Sequence, residues 1–569
     1  MCFSKPSNTQ FNEKEKLWTQ PDLKKPKTSF GKLLLNTLSN HGSKVAQINH
    51  DTGVQLTHLQ IKQSAICIAQ NLQNRGFGPR QSFTFMTTNS DYLTSVVLAS
   101  IFLACPINPL HSILSKDEII RSLKKVEPTV IFCDIECYNQ IDEALKELKF
   151  SVKIFTVGGQ IRDSEPIENL LADNGMKESF TPMDLNTDTD VAMMICSSGT
   201  TGPSKCVLVS YHALIDYFWE PSDIETNDIC LCFEPIYWMV WFWYLMRSIS
   251  KGATRVITSN MFSPSIQLNI IKTYKITKLY NTPGVLAACV KYDQFENANC
   301  LSVKQIYTYG HKMMGSLISE INCHFRNAEL LTIYGLSEIA KIALYVLDSY
   351  GNIRVGELSE GYTIKIVDDN GNRCGPNGSG EICVKTKPIF LGYLGDSEAT
   401  KNVIDSEGFF LTGDIGYFNE DGILFVEDRK KNIISCTFHL EGTVKPTEIE
   451  NYIIQCPETE EVCVIGIQIL PGLELPAAVI VRKPNSNLTE RQVYQMIADK
   501  YADYAKLRGG VYFVDSLPKT ISGKVIRKHI VNEATELFKA RVADPIIQEF
   551  IADIPEEMRN LVFPSILSV

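Results

Sequence analysis

Residues 197–205, SSGTTGPSK, place three serines, two threonines, two glycines and a lysine directly after the apolar run VAMMIC. Such a loop suits phosphate. Glycines let backbone N–H groups approach anionic oxygens, hydroxyls donate further hydrogen bonds, and the lysine neutralises charge. The candidate contacts are Ser197, Ser198, Gly199, Thr200, Thr201, Gly202 and Lys205. The spacing is GxxGxxK, which differs from the GxxxxGK[ST] of the Walker loop. Four further polar stretches follow in order: YGLSE (334–338), LTGD (411–414), DRKKN (428–432) and LPKTISGKVIRK (517–528). Asp414 follows a glycine, and one carboxylate there can accept two neighbouring hydroxyls at once.

These motifs need a frame. From about 30 to 180, helical spacing in SAICIAQNLQNRGF (64–77) alternates with strand-like QSFTFMTT (81–88), PTVIFCD (128–134) and VKIFTVG (152–158). That rhythm predicts an α/β domain with a largely parallel sheet. From 355 to 426, Asp-Asn-Gly and Asp-Gly signals between short strands predict a hairpin-rich β subdomain. After 427–432 comes a smaller α+β segment, with EVCVIGIQI and AAVIVRK as strands and a helix expected over 489–506. The first 25 or so residues are polar and predict an extended arm.

Composition narrows the partners. The chain has 569 residues, 44% hydrophobic and 21% charged, which exceeds one hydrophobic core and predicts two or more domains. A net charge of −10 argues against a nucleic-acid backbone or an anionic membrane as the main partner. Seventeen scattered cysteines without a paired CxxC predict free thiols in a reducing compartment rather than a zinc site. YWMVWFWYLM and TSVVLASIFLAC fall short of the roughly 20 apolar residues of a membrane span. The first residues lack the apolar core of a secretory signal, and the final ILSV differs from the SKL-type peroxisomal address.

In order, type and spacing, the five motifs resemble those of the adenylate-forming enzymes, the superfamily of acyl-CoA synthetases, 4-coumarate–CoA ligases and firefly luciferase. The likeness runs from about 30 to 535, and LRGGVYFVDSLPKTISGK is especially similar to the luciferase and coumarate-ligase branch. The resemblance implies a large adenylation domain over 1–427, with its core from about 30 and a β-rich subdomain from about 355. A mobile α+β lid over 428–540, with its core at about 448–524, and a tail over 541–569 would follow. ATP and Mg²⁺ are the implied cofactors, with coenzyme A as co-substrate. The 197–205 loop would clasp the β- and γ-phosphates, and Tyr334 with Gly335 would meet adenine. Ser337 would bond the α-phosphate and Glu338 would hold Mg²⁺. Asp414 would take the ribose and Arg429 the ribose or a phosphate, Asp428 would be the hinge, and Lys524 would bridge carboxylate and α-phosphate. The acyl pocket would fall to Trp238, Gly310, His311 and Leu336.

Four departures stand out. The phosphate loop ends PSKC where relatives have LPKG, so Cys206 replaces glycine. YGHKMM (309–314) replaces a small-residue stretch, and His311 and Lys312 either point outward or reshape the pocket. Trp238 stands where the luciferase branch has a histidine. The segment NIISCTFHLEGTVKPTEIE (432–450) is longer by a few residues, with Ser435 in place of a lysine and its glycine either replaced by Phe438 or displaced to Gly442. The expected activity is ATP-dependent activation of a hydrophobic, medium- or long-chain fatty acid to acyl-AMP and then acyl-CoA, by a cytoplasmic or peroxisomal monomer. The alternatives are adenylation without efficient thioester release, and a non-catalytic nucleotide- or acyl-binding descendant.

Overall fold

The computed structural model describes every residue except 1–8, 23–28, 174, 176–178, 197–204, 221–223, 296–299, 311, 312, 314, 349–352, 437–442, 471, 472, 521–523, 553 and 555–569. The chain forms two compact units. One comprises residues up to 364 with Val384–Phe410, the other Lys365–Cys383 and the chain from Leu411 onward.

The first unit carries an eight-stranded and a nine-stranded sheet. In the eight-stranded sheet the order is Phe390–Tyr393, Cys206–Ser210, Val191–Cys196, Ile107–Pro109, Phe83–Met86, Val130–Asp134, Lys153–Val157 and Glu165–Pro166. The nine-stranded sheet runs Ile353–Leu358, Ala340–Leu347, Glu329–Leu336, Gln305–Tyr309, Lys278–Tyr280, Ile229–Cys232, Thr254–Ile257, Val45–Asn49 and Gln55–Thr57. Six consecutive strands of the latter, from Glu329–Leu336 to Val45–Asn49, are parallel. Strands buried on both faces read as continuous apolar runs, and Val130–Asp134 is buried throughout. Helices start where capping chemistry is present. Thr57 and Gln60 form a capping box at His58–Asn74, as do Ser115 and Glu118 at Lys116–Val126. The α/β architecture expected from the alternating pattern is therefore present.

The strand Phe410–Phe418, whose residues from Leu411 on belong to the second unit, forms a hairpin with Leu424–Arg429. A three-stranded sheet of Thr459–Leu470, Leu473–Arg482 and Val511–Val514 is flanked by helices Pro446–Ile453, Glu490–Lys500 and Arg527–Arg541. Ile547, Phe550 and Ile551 join the same hydrophobic core. The helix expected over 489–506 ends at Lys500. Tyr501 turns extended (φ −113°, ψ 164°) and its hydroxyl donates to the Glu448 carbonyl at 3.1 Å. A short 3₁₀ turn, Asp503–Ala505, follows, and Lys506 and Arg508 both pair with the Asp503 carboxylate at 2.7 Å. Tertiary contact overrides helical spacing there. Every cysteine among the described residues is a free thiol, most of them buried. No helix among them is long and apolar enough to cross a membrane.

Candidate active site

The loop 197–205 joins two antiparallel strands, Val191–Cys196 and Cys206–Ser210, whose end residues Cys196 and Cys206 stand opposite each other. Ser197, Ser198, Gly199, Thr200, Thr201 and Gly202 lie outside the described residues. The base of the loop is held from another element: the Tyr237 hydroxyl donates to the Cys196 carbonyl at 2.8 Å. Cys206 also bonds the Cys196 sulfur, which lowers the Cys196 thiol.

Lys205, exposed, closes the loop with its ammonium 4.5 Å from the centre of the Tyr393 ring. The Tyr393 hydroxyl donates to Glu338 Oε1 at 2.9 Å. One buried tyrosine thus joins the lysine of the first motif to the carboxylate of the second. Burial and the Glu338 charge both push the Tyr393 phenol up, so it stays a donor. Glu338 sits in the tight turn between Glu329–Leu336 and Ala340–Leu347, with Ser337 beside it and both half-buried. The turn needs Gly335, because a Cβ there would collide with the Ala340 carbonyl oxygen. Tyr334 and Leu336, half-buried, complete the strand end.

Gly310 ends the neighbouring strand Gln305–Tyr309 with φ +89°, a conformation that favours glycine, and the space its Cβ would fill is open. His311 and Lys312 lie outside the described residues, so neither orientation is assigned. Trp238 caps the N-terminus of Met239–Lys251 and stays half-buried, its ring edge-on to Tyr237 at 5.1 Å. From Phe242 to Leu245 that helix is buried, as its all-apolar sequence implies.

In the second unit, Asp414 and Arg429 face each other across the hairpin and pair at 2.7 Å. Asp414 is buried, and Arg429 also donates to the Thr412 carbonyl at 3.3 Å. Asp428 Oδ1 accepts from its neighbour's N–H at 2.7 Å, and Oδ2 from Thr447 N–H at 2.9 Å, in the first turn of Pro446–Ile453. Lys524 is tied to Thr520 by two hydrogen bonds. Thr520 N–H donates to the Lys524 carbonyl at 2.7 Å and Lys524 N–H to the Thr520 hydroxyl at 3.1 Å. Phe438 and Gly442 fall outside the described residues, while Ser435 N–H donates to Glu474 at 3.0 Å.

Three residues of the first unit escaped sequence reasoning. Tyr393 lies in PIFLGYLG, between the quoted motifs. Glu234 interrupts the apolar run CLCFEPIYW, a signal that was available. Tyr309, directly before Gly310, donates to Glu234 Oε1 at 3.1 Å.

An α/β unit with its polar motifs at strand ends, continued by a small α+β unit carrying a lysine turn, is the build of an adenylate-forming enzyme. The model of the AMP-binding enzyme matches residues 35–394 and that of the AMP-binding enzyme C-terminal domain matches 448–524. The chain belongs to the AMP-binding enzyme family. It is 30% identical over 532 residues to a probable CoA ligase of Humulus lupulus, covering 88% of this chain and 92% of the relative. It is 26% identical over 503 residues to the luciferin 4-monooxygenase of Luciola mingrelica, covering 85% of this chain and 91% of that one. In fold it matches ATP-bound MatB of Rhodopseudomonas palustris with a TM-score of 0.78 at 22% identity, covering 89% of this chain and 99% of that structure.

AMP-forming CoA ligases of the family use ATP, Mg²⁺ and coenzyme A, and membership implies the same set here. The residues present fit Mg²⁺. A hard cation that keeps several waters and takes phosphate oxygens needs only one or two protein carboxylates, and Glu338 offers one that Tyr393 orients.

Proposed function

We propose that this chain is an acid–thiol ligase, an AMP-forming acyl-CoA synthetase acting on a hydrophobic carboxylic acid of the medium- or long-chain fatty type. The observation that carries the adenylation step is the Lys205–Tyr393–Glu338 alignment. It brings the lysine proposed to neutralise phosphate and the carboxylate proposed to bind the metal to one tyrosine, at its ring and at its hydroxyl. A carboxylate oxygen attacks the α-phosphorus, the bond to the β-phosphate breaks, and pyrophosphate leaves. Mg²⁺, when bound, offsets charge on the phosphate oxygens. The protein's part is positioning and electrostatics. Lys205 and the loop before it neutralise the leaving pyrophosphate, Ser337 donates to the α-phosphate, and Glu338 would hold the metal. Tyr334 and Gly335 meet adenine, while Asp414 and Arg429 take the ribose. Lys524 meets the acyl carboxylate and the α-phosphate together. The thiol of coenzyme A then attacks the acyl carbon, AMP leaves, and the thiol proton is released. Domains over 1–427 and 428–540, hinged at Asp428, would serve the two half-reactions in turn.

The half-buried Trp238, Met239 and Val240 support an acid with substantial apolar surface. A second reading, adenylation without efficient thioester formation, is favoured by the altered 432–450 segment and by the likeness to a luciferin monooxygenase. ATP–pyrophosphate exchange across a panel of acids tests the first half-reaction. Single-turnover release of AMP from preformed acyl-adenylate on adding coenzyme A tests the second. Rapid release excludes the second reading; release no faster than hydrolysis excludes the ligase.

A further inference from the structure

The parallel strands of the nine-stranded sheet end at a common edge, and burial changes abruptly there. Cys232, Tyr280 and Tyr307 are closed off from solvent. Two residues further on, Glu234 and Tyr309 are only half-buried; Gly310 after them is exposed, and Tyr334 on the strand beside Gln305–Tyr309 is half-buried. Ligands of open α/β sheets collect outside such carboxyl ends. Glu234 and Tyr309 lie at such strand ends, four residues before Trp238 and directly before Gly310, the two residues proposed to line the acyl path.

An acid at this place is costly unless something meets it. Desolvation raises its carboxyl to about 7. Tyr309 donates to Oε1 at 3.1 Å, and among the described residues no lysine or arginine pairs with the carboxylate. That single bond leaves Oε2 to accept a further hydrogen bond when the carboxyl is ionised. Burial and the neighbouring Glu234 also push the Tyr309 phenol well up, so Tyr309 remains a donor and holds the carboxyl in one orientation. A plain hydrocarbon laid over this pair would strip its remaining water and return no hydrogen bond.

We infer that Glu234 and Tyr309 form a polar subsite for a hydrogen-bond donor carried on the acyl part of the substrate, so that the preferred acid bears a hydroxyl or amino group on an otherwise apolar body. This rests on the reading of the chain as an acid-activating enzyme and narrows its substrate class. Glu234 acts as a specificity-determining residue and takes no part in the bond changes.

The test is ATP–pyrophosphate exchange by the full-length protein with alkanoic acids of matched length. Each is compared with its hydroxy- and amino-substituted analogues, the substituent being moved along the chain. Wild type is run beside Glu234→Leu and Glu234→Gln. A site built to bond a polar group rejects analogues lacking it far more strongly than an apolar pocket rejects an added hydroxyl. Wild type should therefore favour one donor-bearing acid over its plain counterpart by about 100-fold or more in kcat/KM. Preference for a hydroxy acid assigns a hydroxyl donor, and preference for an amino acid assigns an amine. Glu234→Leu should abolish that ratio, and Glu234→Gln, which keeps a neutral acceptor, should retain part of it for hydroxy acids. The ratio within one protein is unaffected by the fraction folded. A wild type that takes the plain acid equally well, or a ratio unchanged in Glu234→Leu, overturns the subsite and leaves adenylation standing. Exchange with no acid of any kind overturns the acid-activating reading, and the subsite with it.

Discussion

Tyr393 donates a hydrogen bond to Glu338 at 2.9 Å while its ring faces the Lys205 ammonium at 4.5 Å. The contact ties together two motifs more than a hundred residues apart and brings a residue outside both of them into the proposed site. Tyr393→Phe keeps the ring and removes the bond, worth about 1 kcal/mol or somewhat more because its acceptor is charged. The Mg²⁺ concentration for half-maximal pyrophosphate release should rise about 10-fold, and Glu338→Gln should raise it further. A Mg²⁺ titration of both variants checks this. Curves superposing on wild type would remove Glu338 from the metal site.

Lys524→Ala should cut acyl-adenylate formation by orders of magnitude and leave ATP affinity nearly unchanged. On its proposed role the lysine contacts carboxylate and α-phosphate together, a geometry reached only in the transition state. Its backbone N–H and carbonyl are bonded to Thr520, so truncating the side chain leaves those bonds intact. Burst measurement of acyl-AMP beside calorimetric ATP binding separates the two quantities. Near-normal adenylation would exclude the role.

Asp414→Asn should weaken ATP binding by about 10- to 100-fold, the range for one or two hydrogen bonds to a charged acceptor. The carboxylate is already held by Arg429 at 2.7 Å, which fixes its orientation before nucleotide arrives. The penalty should shrink with 2′-deoxy-ATP, because the contact proposed for Asp414 is to ribose. Equal penalties with both nucleotides would show that Asp414 serves the fold alone.

Glu234 should make stability fall as pH rises from about 5 to 8. Its carboxyl is raised from 4.5 to about 7 in the folded chain by burial. Between those values the native state binds more protons than the unfolded state, so raising pH favours unfolding. Below 4.5 both states are protonated and the effect vanishes; above about 7 it is complete. Glu234→Gln removes it, so the variant should gain on wild type with pH by up to about 3 kcal/mol. Denaturant midpoints at pH 5 and pH 8 measure the gain. A constant difference between the two proteins would mean the carboxyl titrates normally.

Much of this protein is written locally. The phosphate loop after VAMMIC, YGLSE, LTGD and SGK are short runs whose chemistry follows from residue type and spacing, and their order carried the family. Thr57 with Gln60 and Ser115 with Glu118 likewise mark helix starts within four residues. The helix end at Lys500 was not legible, because it depends on Tyr501 reaching the Glu448 carbonyl from another element.

By itself, then, the sequence determined the adenylate-forming family, the α/β build and the cofactors that family uses, since each rests on motifs or periodicities spanning a few turns of chain. Only the tertiary structure decided that Lys205, Glu338 and Tyr393 meet, that Arg429 lies opposite Asp414, and that Glu234 shares a sheet edge with Tyr309. Those relations are products of sheet order and strand register. Parallel strands bring Glu234 and Tyr309 to one edge across whole crossovers, antiparallel pairing sets Tyr393 beside the strand after Lys205 and Arg429 opposite Asp414, and residue spacing alone does not record these registers.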